Sequence, residues 1–185
     1  MLNLCNKNNV MRYLFLFIAL MVFSAKAQPD SQPVISDFLN VYNYTTGKFI
    51  QLAEAIPDDK YDWRPAEAVR SVREVVLHAT SGNYFFGSFF GAIAPQGVDA
   101  MALEKSAMSK EEAIAAFKAS LAVIQEAAKK LTAEQLNEMA DFFGNKITKR
   151  QTILALGDHA AEHLGQLIAY GRMNNVTPPW SKKSN

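Results

Sequence analysis

Four long segments of the chain repeat an apolar residue every three or four positions, the spacing that keeps one face of an α-helix apolar. The first runs from about residue 34 to 56, and the second from 71 to 93. The third begins at Ser109, and the fourth runs from about Thr148 to Met173. This pattern predicts an all-α domain built on four amphipathic helices. The apolar seam of the first helix consists of Phe38, Tyr42, Thr45, Phe49, Leu52 and Ile56.

Short motifs mark the starts of these helices. Each has a Ser or Thr followed three residues later by Glu or Gln, so that side chains and backbone N–H groups can cap one another. The motifs begin at Ser71, Ser109, Thr132 and Thr148, and the one at Thr132 opens only a shorter helical turn. No convincing strand is visible, although residues 142–146 fit a hairpin-like loop. The connections are long enough for more than one helix order, so the pattern alone does not fix the topology.

The N-terminus has the features of a signal peptide. Two basic residues precede an apolar run, residues 13–23, which is too short to span a bilayer. A small-x-small cleavage site ends at Ala27. We therefore expect residues 1–27 to be removed, leaving one periplasmic or secreted domain over 28–185 with no stable membrane insertion. An uncleaved anchor is the alternative.

Composition narrows the chemistry of the mature domain. The only cysteine is Cys5, in the segment expected to be removed, so neither a thiol nucleophile nor a thiolate ligand is expected. The formal net charge of +1 turns slightly negative once the basic residues of the signal are lost. Since no basic stripe is present, we expect no nucleic-acid partner.

The three histidines are the candidate metal ligands. His159 and His163 are four residues apart in the fourth helix, so their imidazoles point the same way, one turn apart. His78 lies in the second helix and would supply a third nitrogen from a facing helix, with a core position as its alternative. Three neutral imidazoles leave a coordination position open, which is typical of catalytic sites. Zinc, nickel, iron and manganese all accept such ligands.

Residues on the same helix faces are candidates for a substrate pocket. Phe85 and Phe89 follow the histidine of the second helix and predict an apolar wall, with plain core packing as the alternative. Gln166 and Tyr170 continue the histidine line of the fourth helix. Together with Tyr42 of the first helix, they are candidates for orienting a substrate.

Several neighbours of the histidines have more than one interpretation. Gly82, one turn after His78, leaves room above a metal. The fourth-helix motif matches the H-x-x-E-H pattern of inverted zinc proteases, in which the glutamate is a general base. Here Glu162 points to the edge of the metal face, where a solvated flank residue is the alternative. Asp158 and Glu74 are candidates for hydrogen bonding to the imidazole N–H groups.

Two parts of the chain resemble the DinB-like, damage-inducible family. The matching stretches are residues 55–65, 71–78, 158–167, 170–172 and 178–179. The resemblance covers essentially the whole mature domain. It implies a four-helix bundle of up-down-down-up topology, often dimeric, with a divalent metal held by His78, His159 and His163. Its relatives include thiol-dependent transferases and isomerases. Most of these relatives are cytoplasmic, whereas this chain is expected to be exported. Export weakens a thiol-transferase role because a small thiol cosubstrate is less assured outside the cytoplasm.

These observations lead to one expected function and two alternatives. We expect an exported, metal-dependent hydrolase or group transferase that acts on a small, partly apolar substrate, with no general acid or base assigned. The first alternative is a non-catalytic protein that binds metal or a small ligand. The second is a metal that only braces the bundle, against which the open coordination position argues.

Overall fold

A computed structural model describes residues 32–182 of the chain. Its long helices are α1 (Gln32–Ala55), α2 (Val72–Ser88), α3 (Lys110–Lys129) and α5 (Lys149–Met173). Between α3 and α5 lie the short helix α4 (Ala133–Asn137) and the strands β1 (Met139–Phe142) and β2 (Asn145–Thr148). One-turn 3-10 helices span Asp58–Lys60, Leu103–Lys105 and Pro179–Ser181. The expected signal segment and its cleavage site lie outside the described residues. No helix within residues 32–182 is long and apolar enough to cross a membrane.

The long helices enclose a single apolar core. Both α1 and α2 pack against α3 and α5. Every residue of the predicted α1 seam is buried, with Phe49, Leu52 and Ile56 at most 1% exposed. Burial of each large apolar side chain contributes about 1.5–3 kcal/mol relative to exposure. The core therefore holds the faces of α2 and α5 that carry the histidines in fixed positions.

The starts of α2, α3 and α5 were predicted to within one residue because their signals are local. The Ser71 side chain accepts a hydrogen bond from the backbone N–H of Glu74, and the Glu74 side chain accepts one from the backbone N–H of Ser71. The same reciprocal pair forms at Ser109, Thr132 and Thr148. Each cap contributes about 1 kcal/mol by satisfying N–H groups that would otherwise lack a partner.

The predicted end of the second helix was wrong. Helix α2 stops at Ser88 rather than near residue 93. The chain turns back so that the backbone N–H of Ala92 donates to the Gly87 carbonyl, and Gly91 adopts a φ of 91°. A Cβ on Gly87 would lie 2.6 Å from Ala92 and from Ile124, so only glycine permits this close return.

The structure adds a short β-hairpin to the predicted helices. Strands β1 and β2 pair antiparallel, from Met139 opposite Thr148 to Phe142 opposite Asn145. The hairpin-like loop predicted over residues 142–146 is the tip of this hairpin. Each strand is only four residues long, too short for an alternating pattern to distinguish it from a loop. Within residues 32–182 the fold is therefore mostly helical with one two-stranded sheet.

Candidate metal centre

The three histidines meet at one point between α2 and α5. One ligand nitrogen from each of His78, His159 and His163 lies within 4.8 Å of the others. The Nε2 atoms of His78 and His159 are 3.3 Å apart. The ring centroid of His163 lies 4.7 Å from that of His78 and 4.4 Å from that of His159. The i, i+4 spacing on α5 and the single histidine of α2 thus produce a three-nitrogen cluster.

A carboxylate fixes the tautomer of His78. Its Nδ1 lies 2.7 Å from Oε2 of Glu104, in the 3-10 helix of the α2–α3 connection. Because a carboxylate can only accept, Nδ1 carries the hydrogen and Nε2 keeps its lone pair. Arg70 Nε and Nη2 reach the two oxygens of the same carboxylate at 2.9 and 3.4 Å. This bidentate pair orients Glu104 and, through it, the imidazole of His78.

The side-chain amide of Gln166 fixes the tautomer of His163 in the same way. Its Nδ1 lies 2.8 Å from Oε1 of Gln166, one turn further along α5. The Gln166 amide nitrogen donates to the hydroxyl of Tyr170 at 3.0 Å, which orients the amide oxygen towards the histidine. The Tyr170 ring packs edge-on against Trp63, 5.4 Å between centroids. Nε2 of His163 therefore also keeps its lone pair for a cation.

His159 is positioned by packing. Its ring lies against the backbone of Gly82, where a Cβ would come within 2.2 Å of its Cε1 atom. The ring of Phe86 covers another side at a centroid distance of 5.2 Å. The glycine predicted to leave room above a metal instead leaves room for a metal-ligating ring. The three histidines are thus held by three different contacts: a carboxylate, an amide and a close-packed glycine.

The surroundings favour neutral imidazoles at His159 and His163. Burial lowers the pKa of His159 to about 3, helped by the positive charges that His163, His78 and Arg70 would present. Burial is also the main reason that the pKa of His163 is lowered, although the hydrogen bond to Gln166 opposes the shift. For Glu104, burial raises the pKa, but hydrogen bonds from Arg70 and His78 outweigh it and the pKa is lowered overall. Neutral imidazoles and an ionised carboxylate are the protonation states that metal ligation requires.

This donor set fits a divalent transition metal. Imidazole nitrogens bound to one tetrahedral zinc at about 2.0–2.1 Å lie roughly 3.3–3.4 Å from each other. The separation of 3.3 Å between His78 and His159 matches that spacing. Two of the three rings have their Nδ1 hydrogens engaged, which leaves Nε2 free to ligate. Imidazole ligands suit zinc, nickel and iron alike, so the donor set does not select the metal.

Comparison with known proteins identifies the family of this chain. The sequence matches the DinB superfamily over residues 42–167, more than half of the chain. The chain belongs to the DinB superfamily. The protein YjoA of Bacillus subtilis (strain 168) is 29% identical over 155 residues, which is 77% of this chain and 90% of that protein.

Solved structures share the fold. The crystal structure of a DinB-like protein from Bacillus cereus ATCC 10987 has a TM-score of 0.67 at 19% identity, covering 77% of this chain and 93% of that one. The crystal structure of YjoA from Bacillus subtilis has a TM-score of 0.59 at 27% identity, covering 78% and 93% of the two chains. The mostly helical fold of this chain is therefore a DinB-like fold.

The two predicted hydrogen-bond partners of the histidines in this DinB-superfamily chain were wrong. Asp158 is exposed and lines a groove between α1 and α5. The carboxylate of Glu74 instead accepts a hydrogen bond from the backbone N–H of Ser71, the N-cap of α2, and pairs with Arg64 at 3.1 Å. The partners are instead Glu104 and Gln166. Nothing local in the sequence singles out Glu104, because a long connection brings it to the site.

The five predicted pocket residues lie in different surroundings. Gln166 and Tyr170 form the hydrogen-bonded chain behind His163. Phe85 and Phe89 belong to an aromatic group that reaches His159 through Phe86. Tyr42 is 1% exposed, and its hydroxyl donates to Asn83 at 2.7 Å. Burial raises the pKa of Tyr42 far above its usual range, so this phenol stays protonated. Contact of these five residues with a substrate stays a prediction.

A polar cleft lies beside the histidines on the side of their partners. It has a volume of about 490 Å³, and Glu104 and Gln166 form part of its wall together with Arg70. The other lining residues are Arg64, Glu67, Ala68, Val69, Glu74 and Lys105. The residues that orient His78 and His163 are thus reachable from solvent.

Replacing Gly82 with alanine tests how His159 is positioned. The new Cβ would fall 2.2 Å from Cε1 and 2.8 Å from Nδ1 of His159, so the ring must move. We expect metal affinity to fall at least as much as when a supporting partner is lost, about 10–100-fold. The fold should survive, because alanine favours a helix by about 1 kcal/mol over glycine.

The matched control is Gly165→Ala on α5, where a Cβ meets open space. Titration of both variants with zinc, monitored by calorimetry, gives the comparison. Wild-type affinity in Gly82→Ala would show that His159 does not ligate from this position.

The Glu104→Gln substitution tests the support of His78. Glutamine keeps an acceptor near Nδ1 but removes the charge that pairs with Arg70 and strengthens the imidazole as a donor. We expect metal affinity to fall by about 10–100-fold, as is usual when such a partner is altered. Glu67→Gln removes a charge from the same cleft without touching a histidine, so it should bind metal as the wild type does. Equal losses in both variants would mean that only the net charge of the cleft matters.

Proposed function

We propose that this chain is an exported DinB-superfamily protein that binds a divalent metal at His78, His159 and His163 and uses it to hydrolyse or transfer a group on a small substrate. The observation that carries the proposal is the cluster itself, with its ligand nitrogens within 4.8 Å. The hydrogen bonds from His78 and His163 to Glu104 and Gln166 support it, because they prepare both rings to ligate through Nε2.

The protein residues have separable tasks in this proposal. The three imidazoles hold the ion and leave coordination room for a substrate atom. A divalent metal there supplies Lewis acidity towards a substrate oxygen or thiolate, or acidifies a water. Arg70 keeps Glu104 ionised and aimed at His78. The aromatic rings near His159 exclude water from one side of the cluster, which strengthens electrostatic interactions there.

The second candidate function is metal or small-ligand binding without turnover. The engagement of Glu104 favours it, because its oxygens are already bonded to Arg70 and His78 and are not free to act as a base. Glu162, the glutamate of the H-x-x-E-H motif, is exposed on the flank of α5. Its negative charge opposes the lowering of the His163 pKa.

Metal content and turnover separate the two candidates. The untagged protein is purified, its metals are measured by elemental analysis, and it is reloaded with zinc, nickel, iron or manganese. Each form is then screened against esters, amides, phosphate esters and thiol acceptors. Steady-state turnover that scales with occupancy supports the enzyme. Full occupancy without turnover on any class supports the binding protein. Failure to hold any of the four metals contradicts the enzyme and leaves only small-ligand binding of the second candidate.

We further propose that residues 1–27 are a cleaved signal peptide and that the mature protein begins at Gln28. Support comes from the short apolar run and the site ending at Ala27. Mass spectrometry of the protein from its native host should detect the form that begins at Gln28 outside the cytoplasm. An intact Met1 species in a membrane fraction would contradict cleavage.

The four long helices are proposed to form an up-down-down-up bundle. Support comes from the packing of α1 and α2 on the same two partners, α3 and α5, and from the long connection between α2 and α3. Residues 89–109, extended at about 3.3 Å each, are long enough to return along a helix of 20 residues, about 30 Å.

A further inference from the structure

Five phenylalanines form one continuous patch beside the histidine cluster. We call this patch the aromatic wall; it consists of Phe85 and Phe86 of α2, Phe89 directly after α2, and Phe142 and Phe143 of the hairpin. Neighbouring rings lie between 4.8 and 6.1 Å apart. None of the five is fully buried, and Phe143 is 78% exposed. A contiguous, partly exposed aromatic patch is a candidate binding surface.

The hairpin turn holds Phe143 on the wall in an unfavourable backbone conformation. Phe143 and Gly144 connect the two strands with φ values of 52° and 81°, the signs of a type I′ turn. That turn favours Asn, Asp or Gly at its first central position, and a bulky residue with positive φ is uncommon. The ring of Phe143 packs 5.4 Å from Phe85 and 4.8 Å from Phe142. A strained residue that serves mainly to present an aromatic ring is a sign of function.

The wall reaches the histidine cluster through Phe86. The ring centroid of Phe86 lies 5.8 Å from that of Phe142 and 5.2 Å from that of His159. The other two histidines contact polar side chains, His78 that of Glu104 and His163 that of Gln166. A molecule with one atom at the histidines would therefore have both aromatic rings and polar groups nearby.

We propose that the aromatic wall binds an aromatic group of the small molecule whose oxygen or sulfur atom reaches the metal. This inference rests on the proposed function and specifies its substrate class: a metal-binding group attached to an aryl ring. Stacked and edge-to-face contacts with several rings would hold the aryl group, and its burial would add hydrophobic stabilisation.

The charges of the hairpin do not suit a membrane surface. Asp141 and Lys146 pair with each other across the strands at 3.3 Å, so the hairpin offers no excess of positive charge to anionic lipid. The contact of Phe86 with His159 instead joins the wall to the metal position. This continuity favours a small ligand over a membrane as the occupant.

The test compares two metal-binding probes, benzohydroxamate and acetohydroxamate, on the zinc-loaded full chain by calorimetry. We expect the wild type to prefer the aromatic probe by about tenfold or more. Phe143→Ala should lower that preference by about threefold or more relative to the wild type and leave the affinity for acetohydroxamate unchanged. Comparing variants cancels the difference in acidity between the probes. Tyr44→Ala, which removes an aromatic ring of α1 that is 66% exposed, should retain the preference.

Each other outcome identifies a different failure. If both probes bind the zinc-loaded wild type equally, or if Phe143→Ala keeps the preference, the aromatic wall is not the subsite but the proposed metal site stands. If neither probe binds and zinc is not retained, the proposed function fails and this inference with it. If Phe143→Ala instead abolishes binding to anionic vesicles or dissociates a dimer while the probe preference is unchanged, the wall contacts a membrane or a protein, and the inference is overturned.

Discussion

Replacing both His159 and His163 with alanine is expected to abolish stoichiometric metal binding and to leave a folded, helical protein. The two residues supply two of the three clustered nitrogens, and a single imidazole does not form a multidentate site. Most of the folding free energy comes from apolar seams that these substitutions do not touch, such as Phe49, Leu52 and Ile56. Zinc at 100 times the wild-type Kd should stabilise the wild type by about 2.7 kcal/mol and the double variant not at all.

Elemental analysis, circular dichroism and thermal melts with and without zinc measure these effects. Glu162→Gln is the matched control on the same helix, since Glu162 is exposed and lies within the same motif. It should keep full occupancy. Full occupancy in the double histidine variant would refute the site. Loss of helical structure in the metal-free wild type would instead indicate that the metal braces the fold.

The parts of the fold that could be predicted depend on short-range chemistry. Capping boxes act between residues three apart, so Ser71, Ser109 and Thr148 placed their helix starts to within one residue. The i, i+4 spacing of His159 and His163 fixed their common direction for the same reason. Each feature is complete within a single helical turn and needs no knowledge of the tertiary structure.

The features that could not be predicted depend on contacts between distant segments. Helix α2 ends early because Gly87 packs against Ala92 and Ile124, and Ile124 lies on another helix. The carboxylate that orients His78 is Glu104, 26 residues away in an irregular connection. The sequence predicted a hairpin-like loop over residues 142–146 but not the paired strands beside it. One reason is that a Phe-Gly turn lacks the usual Asn-Gly signal of a hairpin.

The histidine site shows which of its features follow from the sequence pattern and which follow from tertiary packing. The sequence pattern identified all three candidate ligands and the glycine beside them, Gly82. It assigned the wrong carboxylates, Asp158 and Glu74, because closeness along a helix is a poor guide to contacts made from a loop. Candidate ligands follow from helix geometry, whereas the groups that orient them follow from tertiary packing.

Metal affinity is expected to be nearly constant above a pH of about 6.5 and to weaken progressively below it. An imidazole must be neutral to ligate, and 6.5 is the ordinary pKa of histidine. In the folded protein without metal, burial lowers the pKa of His159 to about 3 and also lowers the pKa of His163. Protons therefore compete with the metal less effectively than at free histidines, which places the midpoint of the loss below about 6.5.

The same shifts set the sign of the effect on stability. A histidine whose pKa is lowered on folding binds fewer protons in the folded than in the unfolded state, so the free energy of unfolding rises with pH between the two pKa values. For His159 that window runs from about 3 to 6.5. The contribution is fully present above the upper limit and is lost as the pH falls through the lower one. Each proton taken up changes the free energy of unfolding by at most about 1.4 kcal/mol per pH unit.

Zinc titrations between pH 8 and the pH at which the helical signal is lost measure this dependence. Up to three protons should be taken up for each metal released, so the plot of log Kd against pH should become steeper than a slope of one. The double histidine variant serves as the control and should show no specific zinc binding at any pH. A Kd that does not change over the whole range in which the wild type stays folded would mean that oxygen ligands hold the ion. Tighter binding on acidification would contradict ligation by neutral imidazoles.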